Sequence, residues 1–352
     1  MAGLWVQAGI EVTMRTSHAP GYPTVSWRDG YRVIRKGGRY LVFPRASFSE
    51  MMGWHGASDA LVEIWNGMPF FSPLWARRPH VTWLHHVHDT MWEMTLPPRL
   101  ARMGRTVEYR VAPPIYRRTQ IITLSESSKL ELMQKLHFKA KRVHVVPPGI
   151  DERFSPASGG DAGRAAHKSP TPLVVAVGRL VPVKRFGVLI DALCDIKARH
   201  PQLQAIIIGD GYEREMLEAQ LHDRDGTSWI SLPGRVDDAA LVDAYRRAWV
   251  VASTSAHEGW GMTITEAAAC GTPSVATRIA GHEDAVVADV SGLLTDEAGF
   301  AAALDRVLGD DRLRARLTAG AIDHAAAFTW GATACGTLEV LAAETVRRRG
   351  PA

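Results

Sequence analysis

The chain of 352 residues is long enough for two domains, and its hydrophobic content of 46% is sufficient for a large core. Its 41 Lys and Arg against 37 Asp and Glu give a formal net charge of +4, too balanced for a protein whose main partner is nucleic acid. Three widely spaced cysteines indicate neither a disulfide framework nor a Cys-rich zinc site, which fits a reducing cytoplasm. With no apolar run of spanning length, the sequence predicts a cytoplasmic protein that is soluble or at most lies on a membrane surface.

The first residues predict an unusual start for an α/β domain. MAGLWVQAG has the pattern of a helix end closed by Gly9, and it runs directly into a strand, IEVTMRT. A doubly wound domain normally opens with a strand and a glycine-rich turn before its first helix. We therefore expect that the first strand is missing and that the chain is shortened at its amino terminus.

Further short apolar segments follow in the amino half. Strands are predicted at LVEIWN, HVTWLHH, QIITLS and RVHVVPPGI, which indicates a Rossmann-like domain over residues 1–155. Residues 156–171 are rich in Gly, Ala, Ser and Pro and lack apolar periodicity, so they predict an interdomain linker.

The carboxyl half alternates strand and helix more regularly. From LVVAVG to GLLT, β-branched runs alternate with amphipathic stretches, which predicts a second Rossmann-like domain over residues 172–330. Residues 331–352 predict a terminal helix, which we interpret as crossing back to the first domain. The predicted fold class is α/β, with two doubly wound domains facing a cleft.

The stretch SAHEGWGMTITEAAAC predicts a loop followed by a helix at the carboxyl edge of the second sheet, where open α/β sheets bind ligands. Gly259 and Gly261 allow the backbone to approach a ligand closely. The amides near Gly261, Met262 and Thr263 would point outward at the helix start, which is a favourable position for an anion. We expect a phosphate there.

Two glutamates flank this predicted phosphate site. Glu258 precedes it and Glu266 lies about one turn into the helix, so the carboxylates are aimed at the two ends of a ligand whose diphosphate lies between them. Carboxylates accept hydrogen bonds from hydroxyls, and a ribose and a hexose each offer a vicinal diol. Two simpler interpretations remain: a capping box formed by Thr263 and Glu266, and a solvated loop acid at Glu258.

A second element supports a diphosphate ligand. Gly178 ends a predicted strand, and Arg179 and Lys184 follow before the next helix. A diphosphate that leaves a sugar carbon accumulates negative charge, which a preorganised Arg and Lys can stabilise without a metal. The alternative is that Lys184 and Arg185 are solvated loop residues.

These motifs together resemble the retaining glycosyltransferases of family 4, which have the two-domain GT-B fold. The resemblance is carried by VGRLVPVKRFGVLIDAL, IIIGDGYEREML, the stretch from PGRVDD to GTPSVAT, and GHEDAVVADVSGLLTD. It is strong over residues 173–296 and weak in the amino half. The resemblance implies a metal-independent transfer of a sugar, with retention, from a nucleoside-diphosphate sugar to an acceptor hydroxyl, and no cofactor.

The resemblance also implies roles for individual residues. It assigns the diphosphate to Arg179 and Lys184, the ribose to Glu266, the donor sugar to Glu258, the nucleobase to Val236, and the distal phosphate to the amides of Gly261, Met262 and Thr263.

Three histidines in HVTWLHHVHDTMW end a predicted strand of the first domain. Their spacing on an extended chain points them to different faces, which argues against a zinc site. The resemblance places a histidine near the anomeric carbon of the donor, six residues after a proline, and Pro79 makes this His85. His88 is the second candidate, and His86 and His88 are acceptor-side candidates. Buried structural histidines remain the alternative.

The stretch LPPRLARMGRTVEYRVAPPIYRRTQ interleaves six arginines with apolar residues. Amphipathic basic segments bind anionic lipid surfaces, so we expect peripheral contact at the inner face of the membrane. The alternative is a solvated charged face.

Two other functions stay open. The missing first strand would favour a non-catalytic sugar-nucleotide-binding protein or partner subunit, because such a loss removes the glycine turn nearest the diphosphate. A GT-B epimerase or phosphorylase is a weaker alternative.

Overall fold

The computed structural model describes residues 1–54, 56, 58–89 and 91–349, without the side chains of Thr95 and Arg349. Two compact units divide the chain. Unit 1 contains residues 1–149 and 330–352, and unit 2 contains residues 150–329. The last three residues of the predicted terminal helix, 350–352, lie outside the described part.

Unit 1 begins with a short helix and contains two sheets. Its strands are β1 (Thr13–Thr16), β2 (Val25–Arg28), β3 (Tyr31–Arg35), β4 (Leu61–Trp65), β5 (His80–Leu84), β6 (Gln120–Thr123) and β7 (Val143–Val145). Its helices before residue 150 are α1 (Ala2–Gln7), α2 (Val42–Met51), α3 (Ser72–Trp75), α4 (Met91–Thr95), α5 (Pro98–Thr106), α6 (Ala112–Tyr116) and α7 (Glu126–Lys135). A π-helical segment, Val107–Val111, joins α5 to α6.

The larger sheet of unit 1 is parallel, in the order β4-β5-β6-β7. The smaller sheet has the order β1-β3-β2, with β1 parallel and β2 antiparallel to β3. The β2–β3 hairpin was not predicted, although its turn carries a sequence signal. Asp29 and Gly30 both have positive φ, as the two-residue Asp-Gly turn of a tight hairpin requires.

Unit 2 alternates strand and helix as the sequence predicts. Its strands are β8 (Leu173–Val177), β9 (Gln204–Ile208), β10 (Ile230–Gly234), β11 (Val250–Ser253), β12 (Ser274–Thr277) and β13 (Gly292–Thr295). Its helices are α8 (Gly160–His167), α9 (Phe186–Ile196), α10 (Arg214–Asp223), α11 (Asp238–Arg247), α12 (Met262–Ala269), α13 (Ala280–Ala285), α14 (Phe300–Gly309) and α15 (Asp311–Ala325). The last helix, α16 (Trp330–Arg349), belongs to unit 1.

The sheet of unit 2 is parallel throughout, in the order β10-β9-β8-β11-β12-β13. In chain order this is 3-2-1-4-5-6, the doubly wound arrangement. Buried aliphatic residues of β8 and β9 pack on α9, with Leu189, Leu193 and Ile207 fully enclosed. The strand order reverses between β8 and β11, so the crevice for a ligand is expected beyond the carboxyl ends of these two strands.

The segment predicted as a linker, residues 156–171, lies inside unit 2 and contains α8. Lys168 is one of the residues that hold it there: its Nζ donates to the carbonyl oxygens of Ala248 (2.7 Å) and Gly271 (3.1 Å) and to Thr272 Oγ1 (2.7 Å). Burial lowers the pKa of Lys168 to about 7. The Ser169 carbonyl also accepts from the Trp249 indole at 2.8 Å, and its amide donates to the Arg247 carbonyl at 2.9 Å. The composition of the segment gives no sign of these contacts, because their partners are distant in the sequence.

Candidate functional site

Two loops meet at the point where the strand order of unit 2 reverses. The loop after β8 covers residues 178–185, and the loop after β11 covers residues 254–261. The buried Thr254 hydroxyl donates to the carbonyl oxygens of Lys184 and Arg185, both at 3.0 Å. The Ala256 amide donates to the Val183 carbonyl at 2.8 Å. These bonds hold the two loops in register, so side chains from both converge.

Lys184 and Glu258 form an ion pair across these loops, and each side chain is 19% exposed. The Ser255 hydroxyl also donates to Glu258 Oε1, at 2.8 Å. Burial opposes ionisation of Glu258, but the Lys184 charge and the two hydrogen bonds outweigh it and lower the pKa of Glu258. Glu258 is therefore an ionised, positioned hydrogen-bond acceptor, and the solvated-acid interpretation does not describe it.

Arg179 is placed differently from Lys184. It follows β8 directly, and its side chain is exposed. Within the described part of the chain, its guanidinium has no hydrogen-bond or ion-pair partner. The structure therefore fixes Lys184 by a contact, whereas Arg179 is an exposed cation at the same loop.

Glycines bring two further backbone segments close together at this edge. A Cβ on Gly209 would lie 1.8 Å from the Gly178 carbonyl oxygen, and one on Gly211 would lie 2.2 Å from the Leu180 carbonyl oxygen. The turn after β9 therefore packs directly on the loop that carries Arg179 and Lys184. These two glycines belong to IIIGDGYEREML, one of the stretches that carry the resemblance, and the sequence alone does not predict this close packing.

The start of α12 presents backbone amides, as the sequence predicts. Gly261 precedes the helix with φ +117°, a conformation that favours glycine. The first helical amides, including those of Met262 and Thr263, have no acceptor within the helix. Combined with the helix dipole, they form a site of positive potential beside Glu258.

Glu266 accepts a hydrogen bond from the Tyr245 hydroxyl of α11, at 3.1 Å. Burial raises the pKa of Glu266 to about 7, and the bond from Tyr245 offsets only part of this effect. The capping-box interpretation is not realised, because Gly261 is the N-cap residue and no side chain caps the helix. Thr263 lies inside the helix.

His282 lies beneath this loop and was not identified from the sequence. Its Nδ1 donates to the Thr277 carbonyl oxygen at 2.7 Å, so its Nε2, 3.1 Å from Ser253 Oγ, is the acceptor. Burial lowers the pKa of His282, which favours this neutral form. A Cβ on Gly261 would lie 3.3 Å from the His282 ring. His282 therefore supports the backbone at the start of α12.

Val236 follows β10 at the same carboxyl edge and is half-buried against the core between α11 and the sheet. Asp237 next to it caps α11 by accepting from the Ala240 amide at 2.8 Å. Val236 thus presents an apolar side chain at the carboxyl edge of the unit 2 sheet, and the capped start of α11 fixes its position.

The three predicted histidines belong to unit 1 and follow β5. The His85 ring lies edge-on to Trp83, with 5.9 Å between centroids, and burial lowers its pKa. The His86 and His88 rings are 4.7 Å apart. No group of three or more His, Cys, Asp or Glu side chains with metal-binding geometry occurs among the described residues.

His88 has a carboxylate partner that the sequence analysis missed. The fully buried Glu108 accepts from the His88 amide at 2.9 Å and from the Trp92 indole at 2.9 Å, and it lies 3.3 Å from His88 Nδ1. Glu108 lies in the π-helical segment, whose extra residue per turn changes the direction of side chains. The 3.6-residue period of an ordinary α-helix therefore does not predict that Glu108 faces His88 and Trp92.

Comparison with known families covers both units. The family described as "Glycosyl transferases group 1" matches residues 162–324, and "Glycosyltransferase Family 4" matches residues 1–154. The chain belongs to glycosyltransferase family 4. The family predicted from the sequence motifs is thereby confirmed, including its weakly matching amino half.

Curated relatives of this family 4 chain include two D-inositol 3-phosphate glycosyltransferases. The protein from Xylanimonas cellulosilytica is 35% identical in an alignment of 222 residues that covers 59% of this chain and 52% of the relative. That from Salinispora arenicola is 36% identical in an alignment of 256 residues that covers 66% of this chain and 56% of the relative. The chain spans about half the length of the curated relatives it matches.

Solved structures share the fold. Sucrose-phosphate synthase from Thermosynechococcus elongatus matches with a TM-score of 0.80 at 20% identity, over 96% of this chain and 90% of that one. HepE from Anabaena, in complex with UDP and glucose, matches with a TM-score of 0.72 at 21% identity, over 94% and 99%. WaaG, a glycosyltransferase involved in lipopolysaccharide biosynthesis, matches with a TM-score of 0.73 at 15% identity, over 96% and 92%. The family 4 chain has the GT-B fold, as predicted.

Proposed function

We propose that this chain transfers a sugar from a nucleoside-diphosphate sugar to an acceptor hydroxyl, with retention of configuration. The observation that carries the proposal is the pairing of Lys184 with Glu258 beside the free amides of α12, at the point where the strand order reverses. The Lys184 ammonium and the amides at the start of α12 are suited to the two phosphates of a sugar diphosphate. The ionised Glu258 is suited to the hydroxyls of its sugar.

The leaving diphosphate interacts with Lys184 and Arg179 and with the amides of Gly261, Met262 and Thr263. Lys184 is held by its loop, so its charge is preorganised for the negative charge that develops on the leaving oxygen. Arg179, exposed and without a partner in the described structure, closes on the diphosphate from solvent. Gly178 leaves room for the Lys184 chain, because a Cβ there would lie 3.3 Å from Lys184 Cε.

Three residues bind the rest of the donor. Glu258 accepts hydrogen bonds from hydroxyls of the sugar, and Glu266 accepts from the ribose diol. Val236 supplies an apolar contact for the nucleobase. The complex of HepE with UDP and glucose supports a uridine nucleotide as the first donor to test.

On the acceptor side, His85 acts near the anomeric carbon, and its pKa, lowered by burial, keeps it a neutral hydrogen-bonding group. His86 and His88 remain acceptor-side candidates. The bond between the anomeric carbon and the diphosphate breaks, the acceptor oxygen attacks from the same face, and its proton passes to the departing phosphate.

Cations and amides of the chain neutralise the diphosphate in this mechanism, so we propose that turnover needs no metal ion. Transfer should persist at an unchanged rate after dialysis against EDTA. A rate that vanished with EDTA and returned with Mg²⁺ or Mn²⁺ would contradict this part of the proposal.

The experiment that tests the function is incubation with a panel of nucleoside-diphosphate sugars, with and without candidate acceptors, followed by mass spectrometry of the products. We expect the wild type and Arg316→Ala, which changes an exposed arginine on α15, to release nucleoside diphosphate at equal rates, and Lys184→Ala to release it at least about 100-fold more slowly. Binding of a donor without any turnover would instead identify a non-catalytic sugar-nucleotide-binding protein.

We also propose peripheral contact with anionic membranes through the segment 96–120 of unit 1. Arg102, Arg110 and Arg117 are exposed there, next to the exposed apolar side chains of Met103 and Val111. No helix in the described part of the chain has both the length and the apolar character to cross a bilayer. Cosedimentation with vesicles containing anionic lipid tests this, and equal sedimentation with purely zwitterionic vesicles would contradict it.

A further inference from the structure

Arg185 has a backbone conformation that is unfavourable for any residue with a Cβ atom. Its φ is +50° and its ψ is 43°, in the left-handed region where glycine is the usual residue. It lies between a short 3-10 turn, Pro182–Lys184, and the start of α9. Backbone strain of this kind persists only where surrounding contacts compensate for it, and it is frequent at functional sites. The contacts of Arg185 must therefore compensate for its backbone.

Arg185 and Thr254 exchange two hydrogen bonds between the loop after β8 and the loop after β11. The Arg185 Nε donates to the Thr254 carbonyl oxygen at 3.1 Å, and the Arg185 carbonyl oxygen accepts from Thr254 Oγ1 at 3.0 Å. Thr254 is buried, so removal of the guanidinium would take this donor from a carbonyl group that water does not readily reach. Arg185 is therefore fixed by specific contacts, and the solvated-residue interpretation does not describe it.

A third loop reaches the same guanidinium. Glu297 follows β13, and its Oε2 lies 3.0 Å from the Arg185 Nη2. The two side chains are 32% and 53% exposed, so this ion pair alone contributes little stability. Its consequence is geometric, because one side chain joins the loops that follow β8, β11 and β13.

The contact between Arg185 and Thr254 is flanked by both partners of the candidate site's ion pair. Lys184 precedes Arg185 in the chain. Ser255 follows Thr254, and its hydroxyl donates to Glu258 Oε1 at 2.8 Å. A shift of Arg185 relative to Thr254 therefore changes the separation of the Lys184 ammonium from the Glu258 carboxylate.

We propose that Arg185 is a positioning residue, which holds Lys184 in the direction that the leaving diphosphate requires. The role in turnover rests on the proposed function, whereas the positioning of Lys184 does not. The Arg185 guanidinium is occupied by Thr254 and Glu297, so it acts through its neighbour in the chain. A charge displaced by about 1 Å from the leaving oxygen can lower the rate by up to about 100-fold.

Arg185→Gly separates the side chain from the strain, because glycine adopts this backbone freely and makes none of the side-chain contacts. We expect kcat to fall about tenfold or more and the donor Kd to rise only several-fold, since Lys184 acts mainly on the leaving group. Steady-state kinetics and calorimetry measure both, with the nucleoside-diphosphate sugar that the wild type turns over fastest. A folded Arg185→Gly protein with the kcat of the wild type would overturn the role in turnover.

Asp225→Gly is the matched control. Asp225 also has a positive φ, +53°, but it lies at an exposed turn between α10 and the start of β10. Its glycine variant should keep the kcat of the wild type, and an equal loss of kcat in both glycine variants would overturn the proposal. Arg185→Asn is a second variant, because asparagine also tolerates this backbone, and it should lose kcat as Arg185→Gly does. Melting temperatures verify that each variant is folded.

A measurement without donor tests the positioning itself. Acetylation of lysines by an N-hydroxysuccinimide ester is followed by mass spectrometry of peptides, which gives a rate for each lysine. Lys184 is 19% exposed and paired with Glu258, so it should react several-fold faster in Arg185→Gly than in the wild type. Lys197, after the end of α9, is the internal reference and should react equally in both. An unchanged rate at Lys184 would overturn the positioning.

The two measurements separate this proposal from the proposed function. If the wild type turns over a donor but Arg185→Gly is equally active, the role of Arg185 falls and the proposed function stands. If no donor of the panel is turned over by the wild type, the proposed function and the role in turnover fall together, while acetylation of Lys184 still decides the positioning.

Discussion

Lys184 makes its ion pair with Glu258 across two loops, so a phosphate that binds Lys184 must compete with this carboxylate. The competition is favourable when a sugar hydroxyl replaces the ammonium as the donor to Glu258. One donor molecule can satisfy both partners, with its phosphate on Lys184 and its hydroxyl on Glu258. A nucleoside diphosphate without a sugar satisfies only the first, which gives the site a means to distinguish donor from product.

Lys184→Ala should reduce turnover far more than donor affinity, because its charge acts mainly on the leaving group as negative charge develops. We expect kcat to fall about 100-fold or more and donor Kd to rise less than about tenfold. Steady-state kinetics with calorimetric Kd values measure the two effects. Equal losses in kcat and affinity would show that Lys184 only binds the ground state.

Glu266 gives a prediction with a definite pH dependence. Its pKa of about 7 in the folded chain lies above its ordinary value of 4.5, so the folded state holds this proton more tightly than the unfolded state. The stabilisation is complete below pH 4.5 and is lost as the pH rises through 7. Glu266→Gln removes that loss and should raise the melting temperature by a few degrees at pH 8, but little at pH 5.

The same variant should weaken donor binding about tenfold at pH 8, because a carboxylate accepts from both ribose hydroxyls and an amide oxygen accepts less strongly. Higher stability with poorer binding is the combination expected of a functional carboxyl group. Differential scanning fluorimetry and calorimetry measure both quantities. A Glu266→Gln protein that is less stable at pH 8 and binds donor normally would mark Glu266 as a structural residue.

At the scale of elements, the hydrogen bonds of Thr254 join the loop after β11 to the loop after β8 and determine where Lys184 lies. Thr254→Val keeps the shape of the side chain but leaves the Lys184 and Arg185 carbonyl oxygens without their donor. We expect a loss of stability of about 1–3 kcal/mol and a several-fold weaker donor affinity. Thr227→Val, at an exposed turn of unit 2, is the control and should change neither. Normal donor affinity in Thr254→Val would show that the position of Lys184 does not depend on the hydrogen bonds of Thr254.

The elements of unit 2 could be predicted because periodicity is strong there: β-branched strands such as β8 alternate with amphipathic helices such as α9. The β2–β3 hairpin was missed although Asp29-Gly30 marked it, since the flanking residues Trp27 and Arg28 are not regularly apolar. The segment containing α8 was predicted as a linker from its composition, whereas long-range contacts of Lys168, His167 and Ser169 hold it against the rest of unit 2.

The site could be predicted in part. Glycines and charged residues in two motifs identified the two loops that meet where the strand order reverses, because residue type and spacing are properties of the sequence. The contacts of Glu258 with Lys184, 74 residues away, and of Glu266 with Tyr245 depend on strand order and helix packing. His282 and Glu108 were missed for the same reason. The roles of His85 and Val236 stay predictions.

At the scale of the whole molecule, the proposed donor residues belong to unit 2 and the proposed acceptor residues to unit 1. Each ligand alone should therefore stabilise the folded chain by RT ln(1 + [L]/Kd), with its own Kd. At about 100 times Kd, a donor should raise the melting temperature by several degrees. Thermal shift of the wild type and of Arg179→Ala with Lys184→Ala measures this, and an equal shift in both would place the ligand elsewhere.

The position of a bound diphosphate shows directly whether the start of α12 and Lys184 bind the donor. In a crystal structure of the chain with UDP-glucose, we predict diphosphate oxygens at hydrogen-bond distance, about 3 Å, from the amides at the start of α12 and from Lys184 Nζ. We also predict that Glu258 contacts the sugar and Glu266 the ribose. A diphosphate bound away from α12, with the Lys184–Glu258 ion pair unchanged, would contradict the account.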